Sequence, residues 1–218
     1  MTDLTKALAR IDTFRAGALG TTIANVEAKL TGAAQNSVAS KLIESGIDFD
    51  LLLSALLVKK ASSQIGEIVH ALGIVLALPK ILESNEIVES LSLAAGNTGK
   101  GFDLETDRRI AEFTFIQWQG GPEVVRQNKI FKDFYFLAEE KTQRRRELYT
   151  IGLAYPKKFF ESGRGISQIL RSNAKLGKSF QEKYGNQYVY VRDYYLPRRD
   201  TVAILDICGY VPYLKDMP

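Results

Sequence analysis

The chain has 218 residues, 45% of them hydrophobic and 25% charged, a globular composition that excludes a disordered or fibrous polymer and is long enough for one substantial core or two small ones. Its 29 Lys and Arg against 25 Asp and Glu leave a net charge of +4, too small to name a partner. Resolved by segment, residues 61–120 carry 4 basic and 8 acidic side chains, while residues 121–200 carry 17 and 9. An acidic middle before a basic segment suits carboxylates that hold metal beside cations that hold a phosphate backbone. Uneven solvated faces produce the same order.

The first sixty residues place Leu4, Leu8, Ile11 and Phe14, and later Leu51, Leu52, Ala55 and Leu56, at helical spacing. They predict three or four short helices as an N-terminal subdomain over 1–61, serving as scaffold or oligomer contact, with Thr2 and Asp48 or Asp50 as caps. A second domain, 62–218, opens with a helix capped by Ser62-Ser63 and stopped at Pro79. Strands are predicted at Ser90–Ala94, Gly101–Glu105 and Ile110–Trp118. Pro122 suits the first helical position of a helix reaching about Glu140. A strand at Leu148–Leu153, helical material from Lys157 to Tyr184, a Tyr-rich stretch at 188–195 and a strand at Val202–Cys208 complete the chain. The order from residue 62 is therefore α-β-β-β-α-β with further elements. That is an α/β mixed sheet flanked by helices, and three consecutive strands argue against a simple doubly wound sheet.

One cysteine, Cys208, sits in an apolar run, so it forms no intrachain disulfide and suits a reducing compartment. The start of the chain shows no signal-peptide pattern, and the longest apolar runs, 51–58 and 68–79, fall short of the roughly 20 residues of a membrane span. A cytoplasmic protein without a membrane partner is expected.

If residues 102–105 and 110–115 form a hairpin turning between Asp107 and Arg108, Asp103 faces Glu112 across it, with Cβ atoms about 5 Å apart. Two carboxylates so close repel unless protonated or bridged by a cation, so the pair is either a structural oddity or a metal site. Oxygen ligands point to Mg²⁺ or Mn²⁺.

The element order, Asp103 on the second strand and Glu112-Phe113-Thr114 on the third resemble the PD-(D/E)XK nuclease superfamily, the restriction-endonuclease-like fold, over about residues 62–155. The resemblance implies a Mg²⁺-dependent DNA endonuclease. Asp103, Glu112 and the Phe113 carbonyl would be its metal ligands, with Glu67 on the first helix completing the set. Gln127, four residues before the aromatic Phe131, matches a glutamine of some members and would orient a ligand or the water. The departure is Thr114, which stands where the superfamily has a lysine. A hydroxyl cannot supply that cation. Three explanations stay open: the cation has moved to Lys129, Arg126 or Lys132; the residue was changed to inactivate the protein; or the domain binds DNA without cutting.

His70 lies three residues after Glu67 on one helical face, but with a single histidine and no usable cysteine a core or supporting role is expected rather than zinc. Gly96–Gly101 lacks the Walker spacing and reads as a turn. The basic segment, including Arg126, Lys129, Lys132, Arg144, Arg145 and Arg146, interleaves with Tyr188, Tyr190, Tyr194 and Tyr195 and suits a nucleic-acid backbone, DNA before RNA. The alternative is a non-catalytic nucleic-acid-binding or assembly module on the same fold. A homodimer through the N-terminal helices fits either.

Overall fold

The computed structural model describes residues 3–15, 17–93, 101–116, 118, 123–171 and 173–216. The chain divides into two compact units, Met1–Ile68 and Val69–Pro218. The division falls at 68/69, whereas the sequence reading placed it at 61/62.

The first unit contains α1 (Leu4–Arg15), α2 (Leu19–Leu30), α3 (Gln35–Glu44) and the start of α4 (Phe49–Ile81). Asp48 Oδ1 accepts the Leu51 amide at 2.8 Å, the expected cap of α4. At α1 Asp3 accepts the Thr5 amide; Thr2, the expected cap, lies outside the described residues.

α4 corrects the sequence reading. The predicted new start at Ser62-Ser63 lies in the middle of one 33-residue helix, and Pro79 sits inside its last turn. The serine hydroxyls bond back to the Lys59 and Lys60 carbonyls at 3.0 and 2.7 Å. A serine satisfied by the preceding turn offers nothing to a cap, so the helix continues. Joined, the two apolar runs make α4 long and apolar enough to cross a membrane by length and composition, with 18% of that window buried. The expectation that no stretch reaches that length does not hold.

In the second unit the strands are β1 (Val88–Leu91), β2 (Leu104–Thr106), β3 (Arg109–Thr114), β4 (Arg145–Thr150) and β5 (Ala203–Asp206), and they form one sheet in the order β1-β2-β3-β4-β5. β1 with β2 and β2 with β3 are antiparallel; β3 with β4 and β4 with β5 are parallel. α5 (Val124–Glu139) carries the chain from β3 to β4, as a parallel pair requires. α6 (Ala154–Phe160), α7 (Ile166–Leu170), α8 (Ala174–Tyr184) and α9 (Val191–Tyr195) lie between β4 and β5 in the chain. The α-β-β-β-α-β order is present, in a mixed sheet flanked by helices.

β1, β2, β3 and β5 are shorter than predicted, while β4 keeps the expected six residues but starts three positions earlier, at Arg145 rather than Leu148. β3 ends at Thr114 rather than reaching Trp118. β5 ends where the Asp206 side chain accepts the amides of Cys208 and Gly152 at 2.9 and 3.1 Å, turning the chain into a 3-10 helix over Ile207–Gly209. The Cys208 thiol is half-buried, and burial pushes its pKa up.

The strands separate two apolar layers. Ile74, Ala77, Leu104, Ala111, Phe113 and Tyr149 pack between sheet and α4, while Ile110, Leu148, Phe131, Phe134, Phe160 and Tyr194 pack against α5–α9. With both faces covered, β3 is buried at every position except Glu112. At the start of β3 a buried Arg109 binds Glu86 (2.6 Å) and Glu147 (2.9 Å), and Tyr149 donates to Glu147 at 2.8 Å. Burial pushes Glu86 up, but the Arg109 guanidinium and the Glu83 amide more than offset it and hold its carboxyl down at about 2.

Candidate active site

The hairpin register follows from Leu104 opposite Ala111 and Glu105 opposite Ile110. Continued by one residue, it sets Asp103 opposite Glu112, the pairing expected from a turn at Asp107-Arg108. Asp103 is fixed twice: its Oδ2 accepts the Phe113 amide at 2.9 Å and lies 3.7 Å from His70 Nε2 on α4. Alternation along β3 sends Ala111 and Phe113 into the α4 layer and Ile110 into the α5 layer. Glu112 and Thr114 therefore face α5.

From α5 comes a residue that the sequence reading missed. Asp133 is 3% exposed, and its Oδ2 accepts the Thr114 hydroxyl at 2.7 Å. Its signal in the sequence was weak: Ile130, Phe131, Phe134 and Tyr135 around it hint at a buried face, but the same helix also carries Gln127, Asn128 and Glu139.

The electrostatics follow from burial. Glu112 is pushed up to about 10, first by burial, then by the negative charges of Asp133 and Asp103, and by a hydrogen bond with the Asp103 side chain; Lys129 opposes this. Burial raises Asp133 too, against the charge of Lys129 and the Thr114 hydrogen bond. His70 is lowered by burial and by Lys129, against the pull of Asp103, and its ring lies 5.3 Å from that of Phe115. Of the three candidate cations on α5, Lys129 is the one whose field acts on Glu112, Asp133 and His70 together. Arg126 is paired with Glu123, and the Lys132 ammonium lies 5.9 Å from the Phe136 ring centre.

The remaining expected site residues have other surroundings. Glu67 is exposed on α4 one turn before His70, in the first unit. Gln127 is 8% exposed, with its side-chain oxygen unpartnered among the described residues; helical geometry turns it about 120° from Asp133. Arg144, Arg145 and Arg146 stand at the start of β4, level with Arg109 and about 16 Å along the strands from Thr114. They are engaged inside the protein: Arg144 with Glu89 and Glu105, Arg145 with Glu83, Arg146 with the carbonyls of Glu140 and Thr142. In the tyrosine stretch Tyr194 and Tyr195 are buried, whereas Tyr188 is half-buried and Tyr190 exposed. Tyr194 donates to Glu139 at 2.6 Å, and Arg198 stacks 4.1 Å from the Tyr194 ring centre. Exposed cations at the Thr114 end of the sheet are Lys157 and Lys158, on the helix that follows β4. Gly96–Lys100 and Pro122 lie outside the described residues.

Among the described residues no group of three or more His, Cys, Asp or Glu is arranged to hold a metal ion. Magnesium does not require one: it binds through one or two carboxylates and keeps water or substrate oxygens in its remaining positions. A facing, half-buried pair in which the Glu112 carboxyl is raised to about 10 has the donor chemistry for such an ion. No protein-family model, curated protein or solved structure matches the chain.

Proposed function

We propose that the chain is a divalent-metal-dependent phosphodiesterase that cuts DNA, on a restriction-endonuclease-like fold. The observation that carries the reading is the Asp103–Glu112 pair: two half-buried carboxylates, one just before β2 and one on β3, so close that the Glu112 carboxyl is raised to about 10 by burial and by the charges of Asp133 and Asp103, an environment that a bound cation would relieve. Asp103, Glu112 and the Phe113 carbonyl would hold Mg²⁺ or Mn²⁺. When bound, such an ion neutralises a scissile phosphate and makes a water more acidic. Asp103 is kept in place by the Phe113 amide, with His70 beside it, so it is oriented before any ligand arrives. Lys129 on α5, whose charge acts on Glu112 and Asp133, would take the part of the strand lysine, orienting the attacking water and stabilising charge building on the phosphate. Lys157 and Lys158 would receive the flanking backbone phosphates.

The test is cleavage of supercoiled and linear DNA with Mg²⁺, Mn²⁺ or chelator. We expect metal-dependent nicking, lowered about 100-fold or more by Asp103→Ala and by Lys129→Met. Adding Thr114→Lys to Lys129→Met should restore it by returning a cation to the strand.

The absence of an ammonium at Thr114, together with the direct Asp103–Glu112 hydrogen bond, favours a second reading: a nucleic-acid-binding or assembly module that does not cut. DNA binding that persists in chelator and ignores Asp103→Ala, with no cleavage by the Thr114→Lys protein, selects it.

A further inference from the structure

We propose that the first unit pairs with a second copy of this chain, through an antiparallel contact between residues 49–60 of α4 in the two copies. Among the described residues of that unit only Ala7 and Ser54 are buried, while eleven large apolar side chains, from Leu4 to Ile68, are exposed. Four helices that bury so little do not offset the entropy of ordering them unless another surface covers them.

On α4 the exposed side chains have a regular form. Phe49, Leu52, Leu53 and Leu56 stand at i, i+3, i+4 and i+7, the spacing with which a helix lays one apolar stripe on a core. Here the stripe faces outward: Phe49 is 83% exposed and the three leucines 52–57%. The buried residue of this stretch is Ser54, about 150° round the helix from the stripe, with its hydroxyl bonded to the Asp50 carbonyl at 2.7 Å. The chain therefore covers the small polar side of α4 and leaves the apolar side without a partner.

Size and charge both favour a second copy as that partner. The eleven side chains present on the order of 1,000 Å² of apolar surface, about half of it from the stripe, and a stable interface covers roughly 800 Å² per partner. Residues 1–68 hold seven basic and seven acidic side chains, so two copies meet without net repulsion and no excess of cations draws the unit to an anionic surface. Lys60 lies one turn beyond Leu56 on the same line, and Asp50 lies beside Phe49 at the other end; both are exposed and form no ion pair among the described residues. Laid antiparallel about a centre between Ser54 and Ala55, Leu53 of each copy meets Leu56 of the other, and each Lys60 comes to the Asp50 of the other. A twofold axis makes each of these contacts twice, whereas a parallel contact sets like charges together. A membrane fits α4 less well, because Ile74, Ala77 and Ile81 of the same helix already pack against the sheet and Lys59 and Lys60 interrupt its apolar run. The dimer does not depend on the nuclease reading.

The test is the mass of the full chain by sedimentation equilibrium in low salt, across about 1–100 μM. The variants are Leu53→Glu with Leu56→Glu, Asp50→Lys, Lys60→Glu, and Asp50→Lys with Lys60→Glu. We expect the unmodified chain to dimerise and the two-leucine variant to raise its Kd about 30-fold or more. Each single charge reversal should raise Kd about tenfold, and the combined variant, which exchanges the two charges, should return to within about threefold of the unmodified chain. All four positions are exposed, and the charge exchange keeps the test decisive if the two-leucine variant folds poorly. A chain that is monomeric throughout overturns the proposal, as does a dimer whose Kd the two-leucine variant leaves unmoved. Combined charge reversals that restore nothing overturn the antiparallel contact. A monomer that binds vesicles of phosphatidylcholine and phosphatidylglycerol, and loses that binding in the two-leucine variant, overturns the dimer and gives the stripe to a membrane surface.

Discussion

Glu112 is where folding and function oppose each other. Burial, Asp133 and Asp103 lift its carboxyl from an ordinary 4.5 to about 10. Between those values the folded protein holds a proton that the unfolded chain releases, so this group lowers stability as pH rises from about 4.5 toward 10. Glutamine keeps the shape of the protonated acid and has no proton to lose. Glu112→Gln should therefore raise Tm in chelator at pH 8, by roughly 1–3 kcal/mol of stability, and match the unmodified chain near pH 4.5. Thermal melts from pH 4.5 to 9 measure this. Parallel curves for the two proteins would refute the raised carboxyl. Of the residues at the site, Asp103 and Glu112 were legible because a short turn at Asp107-Arg108 pins the register and alternation does the rest. Asp133 was not, because its role depends on which face of α5 meets the sheet, and that is set by packing across the layer.

At the scale of elements, α4 and β3 are held together by one close approach. A Cβ on Gly73 would stand 2.3 Å from the Phe115 ring, which is itself confined by Phe113 and His70. A residue without a side chain is thus what lets α4 lie close enough for His70 to reach Asp103. Gly73→Ala gains helix propensity of about 1 kcal/mol but must displace a packed ring, so we expect a net destabilisation of roughly 1–2 kcal/mol in urea melts. Unaltered or raised stability would contradict this account of the α4–β3 contact. The continuity of α4 was illegible for a related reason. A serine pair reads equally as a cap or as an interior residue bonded to the preceding turn, and the polar Lys59–Ser63 stretch hid the joining of two apolar runs. The element order and the β2–β3 hairpin were easier to read, since a short turn between two alternating runs leaves few alternatives.

Across the whole molecule, the acidic and basic segments do not form two separate fields, as the sequence suggested. Glu83, Glu86, Glu89 and Glu105 pair with Arg108, Arg109, Arg144 and Arg145 where β3 and β4 begin, so much of the charge contrast is spent tying the sheet together. What remains is a smaller grouping at the other end of those strands. It comprises Asp103, Glu112 and Asp133, with the charge of Lys129 acting on the last two, and Lys157 and Lys158 on the helix that follows β4. Sequence blocks could not separate these populations, because pairing across the sheet joins residues up to 62 positions apart. The central claim is that the carboxylate pair is built for a divalent cation. The most direct test is the anomalous difference map of a crystal soaked in Mn²⁺. We expect a peak bridging the carboxylates of Asp103 and Glu112, beside the Phe113 carbonyl, that disappears in Asp103→Ala. A Mn²⁺-soaked crystal in which these two carboxylates remain hydrogen-bonded to each other, with no peak between them, would contradict it.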